Sequence, residues 1–497
     1  MNAAPRYRNV VTTSGVYFCF QALGMAAGLV SIPILTRALT KEEYGLLNLT
    51  FATVGILALV GRLGFAEATT RFYYERSQQG LRQLREFCGT MLAGSFVSGA
   101  LVALVTLIAV QWLVPQENAA HCLRVASLIV IIRAVLGVVY QIYRAQERAV
   151  AAAIAPMAAR YIGLAVAIGI LLVHGLNAYE VILASVLGEG LVALICLSEF
   201  ATRGIIGPPT LSRWHFSAAF SYGAPLSVGL YSSFVLDYGD RFLIERFLGL
   251  DAVATYSVPY DLVGALSLAL FGSLKLALLP IIFRLWESGG RAATSDFVSQ
   301  VFTYSVAVAI LGGALFLALS EQLIVLLTSA KYSGSAPLMA YLLPGIFMGE
   351  MNFLVASGLL VTRGTIVLAV LSLASAAVNV LLNLWMLPRW GLTGAASATT
   401  IAYGLLMLTT YLMSRRSLDL RVKPLVLAAA LLTTAIMILS LTMLGRISAL
   451  PAVNLFARGT VGAGIAGLCM SLLDREIRQR TWLPAVRGIK QAFGAAA

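Results

Sequence analysis

The chain has 497 residues, of which 59% are hydrophobic and only 11% are charged. An ordinary soluble domain is about a quarter charged, so this composition excludes a soluble fold and predicts a protein embedded in a membrane along its whole length. The net charge of +13 would suit nucleic acid in a soluble protein. Here the basic residues cluster in short stretches between apolar segments, where they report membrane topology. No nucleic-acid partner is therefore expected.

Fourteen apolar segments follow one another along the chain, and each is about 20 residues or longer, enough to cross a hydrocarbon core about 30 Å thick. They lie at 11–38, 45–66, 88–113, 122–143, 149–173, 178–200, 216–247, 252–283, 297–319, 335–361, 365–387, 391–413, 424–444 and 452–473. The first is too long for the apolar part of a cleavable signal peptide, so it is interpreted as a span. The sequence predicts an all-α integral membrane protein with fourteen transmembrane helices.

Lys and Arg divide unequally between the two sides of the membrane when these segments are taken to cross it alternately. One side carries 22 of the 35, the other carries six, and seven lie within segments. Because cytoplasmic loops are enriched in Lys and Arg, both termini are expected in the cytoplasm. A missed or extra span would blur this difference, so it also supports the number of helices.

Five of the seven cations within segments are candidates for a substrate-binding cavity. They are Arg133, Arg160, Lys275, Arg241 and Arg62. An Arg or Lys near the centre of a membrane helix costs about 2.5–3.5 kcal/mol and must face protein or water. A guanidinium group can also bind a phosphate through two parallel hydrogen bonds. The first interpretation is therefore a cationic cavity that receives an anionic substrate.

Carboxylates within the same segments leave a second interpretation open, in which the cations are neutralised inside the protein. The available acids are Glu189, Asp237, Asp240, Glu245, Asp261 and Glu350. Asp237 and Arg241 are four residues apart on one helix and could form a local pair. If the acids are not all paired, Asp237, Asp240 and Asp261 are candidates for binding a coupling proton or cation. Four tyrosines near these acids could stack on sugar or form hydrogen bonds with it, although Tyr is also common at membrane interfaces. They are Tyr231, Tyr238, Tyr256 and Tyr260.

Catalytic patterns are absent from the sequence. The three histidines are isolated near loops, and no stretch has metal-ligand spacing or a nucleophile motif. A GxGxxG pattern at 462–467 lies inside an apolar segment, where close helix packing explains it better than dinucleotide binding. We expect no enzymatic activity, no cofactor and no metal site.

Two phrases near the N-terminus resemble a known family. "LTRALTKEEYG" at residues 35–45 and "RFYYE" at residues 71–75 are similar to the Wzx-type polysaccharide flippases of the multidrug/oligosaccharidyl-lipid/polysaccharide exporter superfamily. The resemblance implies a flippase that moves undecaprenyl-diphosphate-linked oligosaccharide repeat units across the bacterial inner membrane by alternating access. It also implies contact with membrane lipid, and a polysaccharide polymerase and a chain-length regulator as partners in exopolysaccharide, capsule or O-antigen assembly.

The same resemblance implies two pseudo-symmetric six-helix lobes followed by two more helices. The lobes are expected at residues 1–205 and 206–420, with the additional helices and a basic cytoplasmic tail at 421–497. A short match between residues 35–42 and 244–251, where Arg, Leu and an acid recur in register, favours such a repeat.

Three other functions stay open at this point. One is a flippase for a peptidoglycan precursor, although the two N-terminal phrases resemble the polysaccharide branch of the flippases more. A multidrug or cation antiporter of the same superfamily would share the lobes, but cationic substrates do not need a cationic cavity. A membrane polysaccharide polymerase would usually present a large outer loop with catalytic groups. The longest outer loop expected here, at about 320–334, is short, so the polymerase is the weaker alternative.

Overall fold

The computed structural model describes residues 23–24, 27–28, 30–210, 214, 217, 219–444 and 451–473. Within these residues the regular structure is helical and contains no strand. The chain forms two compact units, one from Met1–Val258 with Ile366–Ala402 and the other from Pro259–Thr365 with Tyr403–Ala497. The expected lobes at 1–205 and 206–420 and the additional helices at 421–497 were defined by an internal repeat, whereas the two units are defined by contacts within the chain. The division into lobes therefore stays a prediction.

The first unit contains the helices that precede residue 258 and most of one later helix. They are α1 (ending at residue 38), α2 (Lys41–Arg62), α3 (Phe65–Gln78), α4 (Leu81–Leu113), α5 (Glu117–Ala145), α6 (Ala149–His174), α7 (Ala178–Thr202), α8 (Ala224–Leu248), the start of α9 (Leu250–Ser267) and residues 366–402 of α13 (Thr365–Ser414). The second unit contains the remaining helices. They are the end of α9, α10 (Ser273–Ala318), α11 (Ser320–Leu327), α12 (Leu338–Val361), the end of α13, α14 (Pro424–Leu444) and α15 (Pro451–Leu473).

The phrase at residues 35–45 marks the start of α2. The Glu43 backbone N–H donates to the Thr40 hydroxyl oxygen at 3.2 Å, and the Thr40 N–H donates to the Glu43 carboxylate at 2.9 Å. This reciprocal capping box satisfies two backbone N–H groups that an α-helix leaves without partners at its N-terminus. The same device, from Asn177 and Glu180, begins α7.

The second phrase lies on a helix that the hydropathy pattern does not predict. The predicted segment 45–66 runs past the end of α2 at Arg62, because Leu63 and Gly64 have φ values of 43° and 81° and stop the helix. A separate helix, α3, then carries residues 71–75. The charged residues of α3 give it little apolar character, so the hydropathy pattern predicts a loop between the apolar segments 45–66 and 88–113.

The helices α10 and α13 are each interrupted by a glycine with non-helical backbone angles. Gly290 has φ 66° within α10, and Gly391 has φ 58° within α13. These glycines adopt a conformation that other residues rarely adopt, and they fall between the predicted segments 252–283 and 297–319 and between 365–387 and 391–413.

Eleven helices in the described part of the chain are long and apolar enough to cross a membrane. Two of them are α13 and most of α10, which each carry a bend, while the charged helix α8 and the partly described α1 are outside this number. The protein is therefore a multi-pass, all-α membrane protein, as predicted, and fourteen spans are compatible with its helices.

Small residues bring α6 and α7 close together. A Cβ atom on Gly188 would lie 2.6 Å from the Gly163 backbone nitrogen and 2.7 Å from the Ala159 carbonyl oxygen. Membrane helices commonly use such residues to pack backbone against backbone.

Replacement of Gly188 by Ala is expected to lower the free energy of unfolding by about 1–3 kcal/mol, the usual cost of overpacking. Thermal unfolding of the purified protein measures this change. The matched control is Gly169→Ala on α6, where an added Cβ meets nothing within 4 Å; it should leave the melting temperature unchanged or raise it slightly. Equal effects of the two variants would contradict the close packing at Gly188.

Candidate functional site

An ion pair within the first unit joins the middle of α5 to the middle of α7. The Arg133 Nη2 lies 2.6 Å from the Glu189 Oε1, and the Arg133 Nε lies 2.9 Å from the Glu189 Oε2. These two parallel bonds are the bidentate geometry that guanidinium and carboxylate groups favour. The guanidinium carbon is also 5.8 Å from the centre of the Phe51 ring, within range of a cation–π contact.

This ion pair lines a cavity of about 290 Å³ in the first unit. Its wall is mainly apolar, and its polar or aromatic side chains are Ser31, Phe51, Arg133, Arg160, Ser185 and Glu189. The Arg133 side chain is 30% exposed and that of Glu189 is 15% exposed, while Arg160 is exposed. The structure therefore brings Arg133 and Arg160, two of the cations selected from the sequence, to one concave site, and it places an acid beside them.

Arg62 lies in the same unit but is not part of the cavity wall. Its side chain packs over Gly137, where a Cβ atom would lie 2.7 Å from the Arg62 Nε. That nitrogen is buried and has no hydrogen-bond partner among the described residues. Glu67 and Arg133 act on it electrostatically, so Arg62 adds positive potential close to the cavity.

Asp240 and Arg241 form a second polar group, on α8. The Arg241 Nη1 donates to the Asp237 carbonyl oxygen at 2.8 Å and lies 3.5 Å from the Asp240 Oδ1. The side chains of Asp240 and Arg241 are 0% and 1% exposed. The sequence left open a local pair between Arg241 and the Asp237 carboxylate. In the structure the contact of Arg241 with Asp237 includes the backbone carbonyl oxygen, and the adjacent Asp240 is also an ionic partner.

Neutral oxygen atoms from other helices surround the remaining side of Asp240. The Tyr256 hydroxyl donates to the Asp240 Oδ2 at 2.5 Å, and the Thr399 hydroxyl lies 3.3 Å from the same oxygen. On α13, the Asn379 amide nitrogen is 3.5 Å from the Thr399 hydroxyl, and the Asn383 amide donates to the Asn379 carbonyl oxygen at 3.0 Å. We call Asp240, Tyr256, Asn379, Asn383 and Thr399 the Asp240 cluster.

The Asp240 cluster is buried, and one of its oxygen atoms has no hydrogen-bond partner among the described residues. Asn379, Asn383, Thr399 and Tyr256 are all 0% exposed, and the Asn383 Oδ1 has no hydrogen-bond partner among the described residues. A buried acceptor without a donor is costly, and carboxylate, amide and hydroxyl oxygens are the ligands of hard cations. The described residues contain no group of three His, Cys, Asp or Glu side chains suited to a metal ion, so most ligands of a cation here would be neutral.

The other two selected residues belong to the second unit. Lys275 is exposed on α10, and Asp261 is partly buried on α9. Sequence reasoning did not select Asn379, Asn383 and Thr399, although two Asn four residues apart in an otherwise apolar helix were a visible signal.

Three comparisons place the chain among known proteins. The family model described as "Polysaccharide biosynthesis protein" matches residues 10–286, more than half of the chain. An uncharacterized membrane protein of Methanocaldococcus jannaschii is 31% identical over 209 residues, which span 41% of this chain and 40% of that relative. The chain thus matches less than half of that relative's length.

Two solved structures of transporters share the fold. The lipid II flippase MurJ, in an inward closed conformation, matches with a TM-score of 0.75 and 12% identity over 94% of this chain and 99% of its own. A multidrug resistance MATE family transporter of the MOP superfamily, in an inward-facing conformation, matches with a TM-score of 0.60 and 15% identity over 81% of this chain and 97% of its own. At these identities the likeness shows the fold.

The family match covers both phrases, at residues 35–45 and 71–75, on which the resemblance to polysaccharide flippases was based. The fold is likewise that of the superfamily which the resemblance named. Both of these solved structures are of transporters. The resemblance is therefore confirmed: the chain belongs to the polysaccharide biosynthesis protein family and has the fold of MOP-superfamily transporters.

Proposed function

We propose that this protein is a flippase that translocates undecaprenyl-diphosphate-linked oligosaccharide repeat units across the inner membrane. The observation that carries the proposal is the cavity of the first unit, in which Arg133 and Arg160 face one space. Similarity to a lipid II flippase supports the same substrate class. In this proposal the translocated repeat units are used to assemble exopolysaccharide, capsule or O-antigen, and a polysaccharide polymerase and a chain-length regulator are partners of the flippase.

The charge of a diphosphate explains why a flippase needs such a cavity. An ionised group pays a large desolvation penalty in hydrocarbon unless its charge is matched. Arg133 can offer two parallel N–H donors and Arg160 a second positive charge, which together suit a group with two phosphates. The polyprenyl chain pays no such desolvation penalty, because it is as apolar as the lipid around it.

Alternating access is the proposed mode of movement. It requires the pseudo-symmetric lobes at 1–205 and 206–420 to open in turn to the two sides of the membrane. In this proposal both termini and the basic loops are cytoplasmic, so Arg160 and Arg133 receive the substrate from the cytoplasmic leaflet.

The Asp240 cluster is the proposed site of a coupling proton or monovalent cation. Asp237 and Asp261 were equal candidates from the sequence, but Asp240 is the fully buried acid and has neutral oxygen atoms from α9 and α13 around it. In this proposal a cation bound there would contact the Asp240 carboxylate together with neutral oxygen atoms of the cluster.

One observation favours a cation antiporter as the second candidate function. Glu189 places an acid in the same cavity, and the fold is shared with a multidrug transporter. The two cationic side chains in that cavity would still repel a cationic drug, so this candidate ranks second. A membrane polymerase ranks third, because the expected outer loop at about 320–334 is short and forms the helix α11 and a six-residue 3₁₀-helix at Ala330–Ser335.

Leaflet sidedness of the lipid-linked glycan tests the proposed function directly. Undecaprenyl-diphosphate oligosaccharide is reconstituted into vesicles with and without the protein, and a membrane-impermeant glycosidase cleaves the glycan in the outer leaflet. The protein should convert the protected half of the glycan into a cleavable form, with and then without an imposed ion gradient. Unchanged protection together with uptake of a cationic dye would instead favour the antiporter.

A further inference from the structure

The ion pair in the cavity occupies the donors that a phosphate would use. Three contacts of 2.6–3.1 Å join the Arg133 guanidinium to the two carboxylate oxygens of Glu189. Carboxylate and phosphate oxygens accept bidentate bonds from a guanidinium in the same way. A phosphate and Glu189 therefore cannot both take this face of Arg133.

A second group of ion pairs, near the end of α7, has more contacts and serves as a structural comparison. Glu199 accepts hydrogen bonds from the Tyr143 hydroxyl at 2.6 Å and from the Arg148 Nη2 at 2.5 Å, and it forms an ion pair with the Arg203 Nε at 2.8 Å. It is thus held by three side chains, and the cavity wall does not include it. Among the described residues Glu189 accepts hydrogen bonds from Arg133 alone, so one competitor is enough to release it.

From this contrast we propose that Glu189 is a displaceable counter-ion, which an incoming diphosphate removes from Arg133 and which reclaims Arg133 when the substrate leaves. The inference rests on the proposed function. A diphosphate carries more charge than a carboxylate and can also contact Arg160, so it displaces Glu189 on entry. Re-formation of the ion pair between Arg133 and Glu189 then favours release of the substrate on the other side of the membrane. In this role the ion pair sets the affinity for the anion rather than stabilising the packing of the helices.

Binding of farnesyl diphosphate, a short isoprenyl diphosphate, tests this proposal on the purified full-length protein in nanodiscs. Glu189→Gln keeps the size and one oxygen acceptor but removes the competing charge. Binding should tighten by about tenfold or more, because a charge-assisted hydrogen bond corresponds to at least about that change in an equilibrium constant. Glu199→Gln, the matched control on the same helix, should leave binding unchanged. Farnesol, which lacks the diphosphate, should not distinguish any of these proteins.

The double variant Arg133→Gln with Glu189→Gln tests whether the effect of Glu189→Gln on binding depends on Arg133. Binding to it should be no tighter than binding to Arg133→Gln alone, because without Arg133 there is no ion pair to displace. Glu189→Asp provides a second test if Glu189→Gln fails to fold: the shorter side chain keeps the charge but weakens the pair, so binding should tighten by a smaller factor.

The possible results separate this inference from the proposed function. If the wild type binds farnesyl diphosphate and Arg133→Gln weakens it, but neither Glu189 variant tightens it, the counter-ion role is wrong and the anion site stands. A lower melting temperature of Glu189→Gln without tighter binding would likewise assign Glu189 a structural role and overturn the proposal. If the wild type binds farnesyl diphosphate no better than farnesol, the anionic substrate site itself is wrong, and both proposals fall together.

Discussion

Replacement of either cavity arginine is expected to slow the flipping of undecaprenyl-diphosphate oligosaccharide in proteoliposomes by about tenfold or more. Arg133→Gln removes two charge-assisted hydrogen bonds to the diphosphate, each worth about 1.5–3 kcal/mol, which corresponds to a loss of about a hundredfold or more in substrate affinity. Arg160→Gln removes a side chain with no ion pair among the described residues, so about a tenfold loss is expected from one such bond. The measurement is the initial rate of glycosidase access at a fixed, subsaturating substrate density.

Folding must be separated from transport in the Arg133 variant. Arg133→Gln leaves Glu189 facing the cavity with its charge uncompensated, which can destabilise the protein. The double variant Arg133→Gln with Glu189→Gln removes both charges and should restore the melting temperature without restoring transport. Arg203→Gln is the matched control, because Arg203 is 59% exposed and Glu199 keeps Arg148 as a partner. Wild-type flipping by folded Arg160→Gln and by the folded double variant would show that the substrate does not pass through this cavity.

The membrane architecture could be predicted from the sequence because it depends on local properties. An apolar segment of about 20 residues must form a helix in hydrocarbon to satisfy its own backbone, and the sequence contains such segments throughout. The break between α2 and α3 could not be predicted, because it depends on left-handed backbone conformations at Leu63 and Gly64. Leu63 is a residue that rarely adopts that conformation.

The cavity shows where sequence reasoning reaches its limit. A charged side chain within a membrane span is costly, so Arg133 and Arg160 were predicted to face protein or water. In the structure both line one cavity. The position of Glu189 against Arg133 depends on how α5 and α7 pack, and the two residues are 56 positions apart. No local pattern distinguishes that pairing from the other acids available, so the sequence left the cationic cavity and the internal ion pair as alternatives. The structure shows an ion pair within a cavity.

The Asp240 cluster illustrates a different limit. Asp240 stands out in the sequence because an acid in a membrane helix is unusual, but its neighbour Thr399 is 159 positions away and uncharged. Hydropathy does not select single neutral polar residues, and only the three-dimensional packing of α8, α9 and α13 brings these oxygen atoms together. Asp237 and Asp261 could not be ranked against Asp240 until the burial of each side chain was known.

Removal of the neutral oxygens around Asp240 is expected to abolish the dependence of flipping on the coupling ion. Asp240→Asn alone is a poor test, since it removes one ionic partner of the buried Arg241 and can cost about 3–5 kcal/mol of stability. Thr399→Val and Asn383→Leu keep the pair between Asp240 and Arg241 while they remove a hydroxyl and an unsatisfied amide oxygen from the cluster. The combined variant should fold but should bind a monovalent cation weakly.

Cation binding can be measured without transport. A cation that binds only the folded protein stabilises it by about 2.7 kcal/mol at about 100 times its Kd, so sodium chloride should raise the melting temperature of the wild type above its value in choline chloride. The combined variant should lose this difference, and its flipping rate should no longer respond to a sodium gradient. If protons are the coupling ion, the wild type will respond to a pH gradient and not to sodium, and Asp240 remains the site only if the combined variant also changes that response. Asp237→Asn and Asp261→Asn are the matched comparisons: a loss of ion dependence in either of them, with normal behaviour of the combined variant, would move the coupling site away from Asp240.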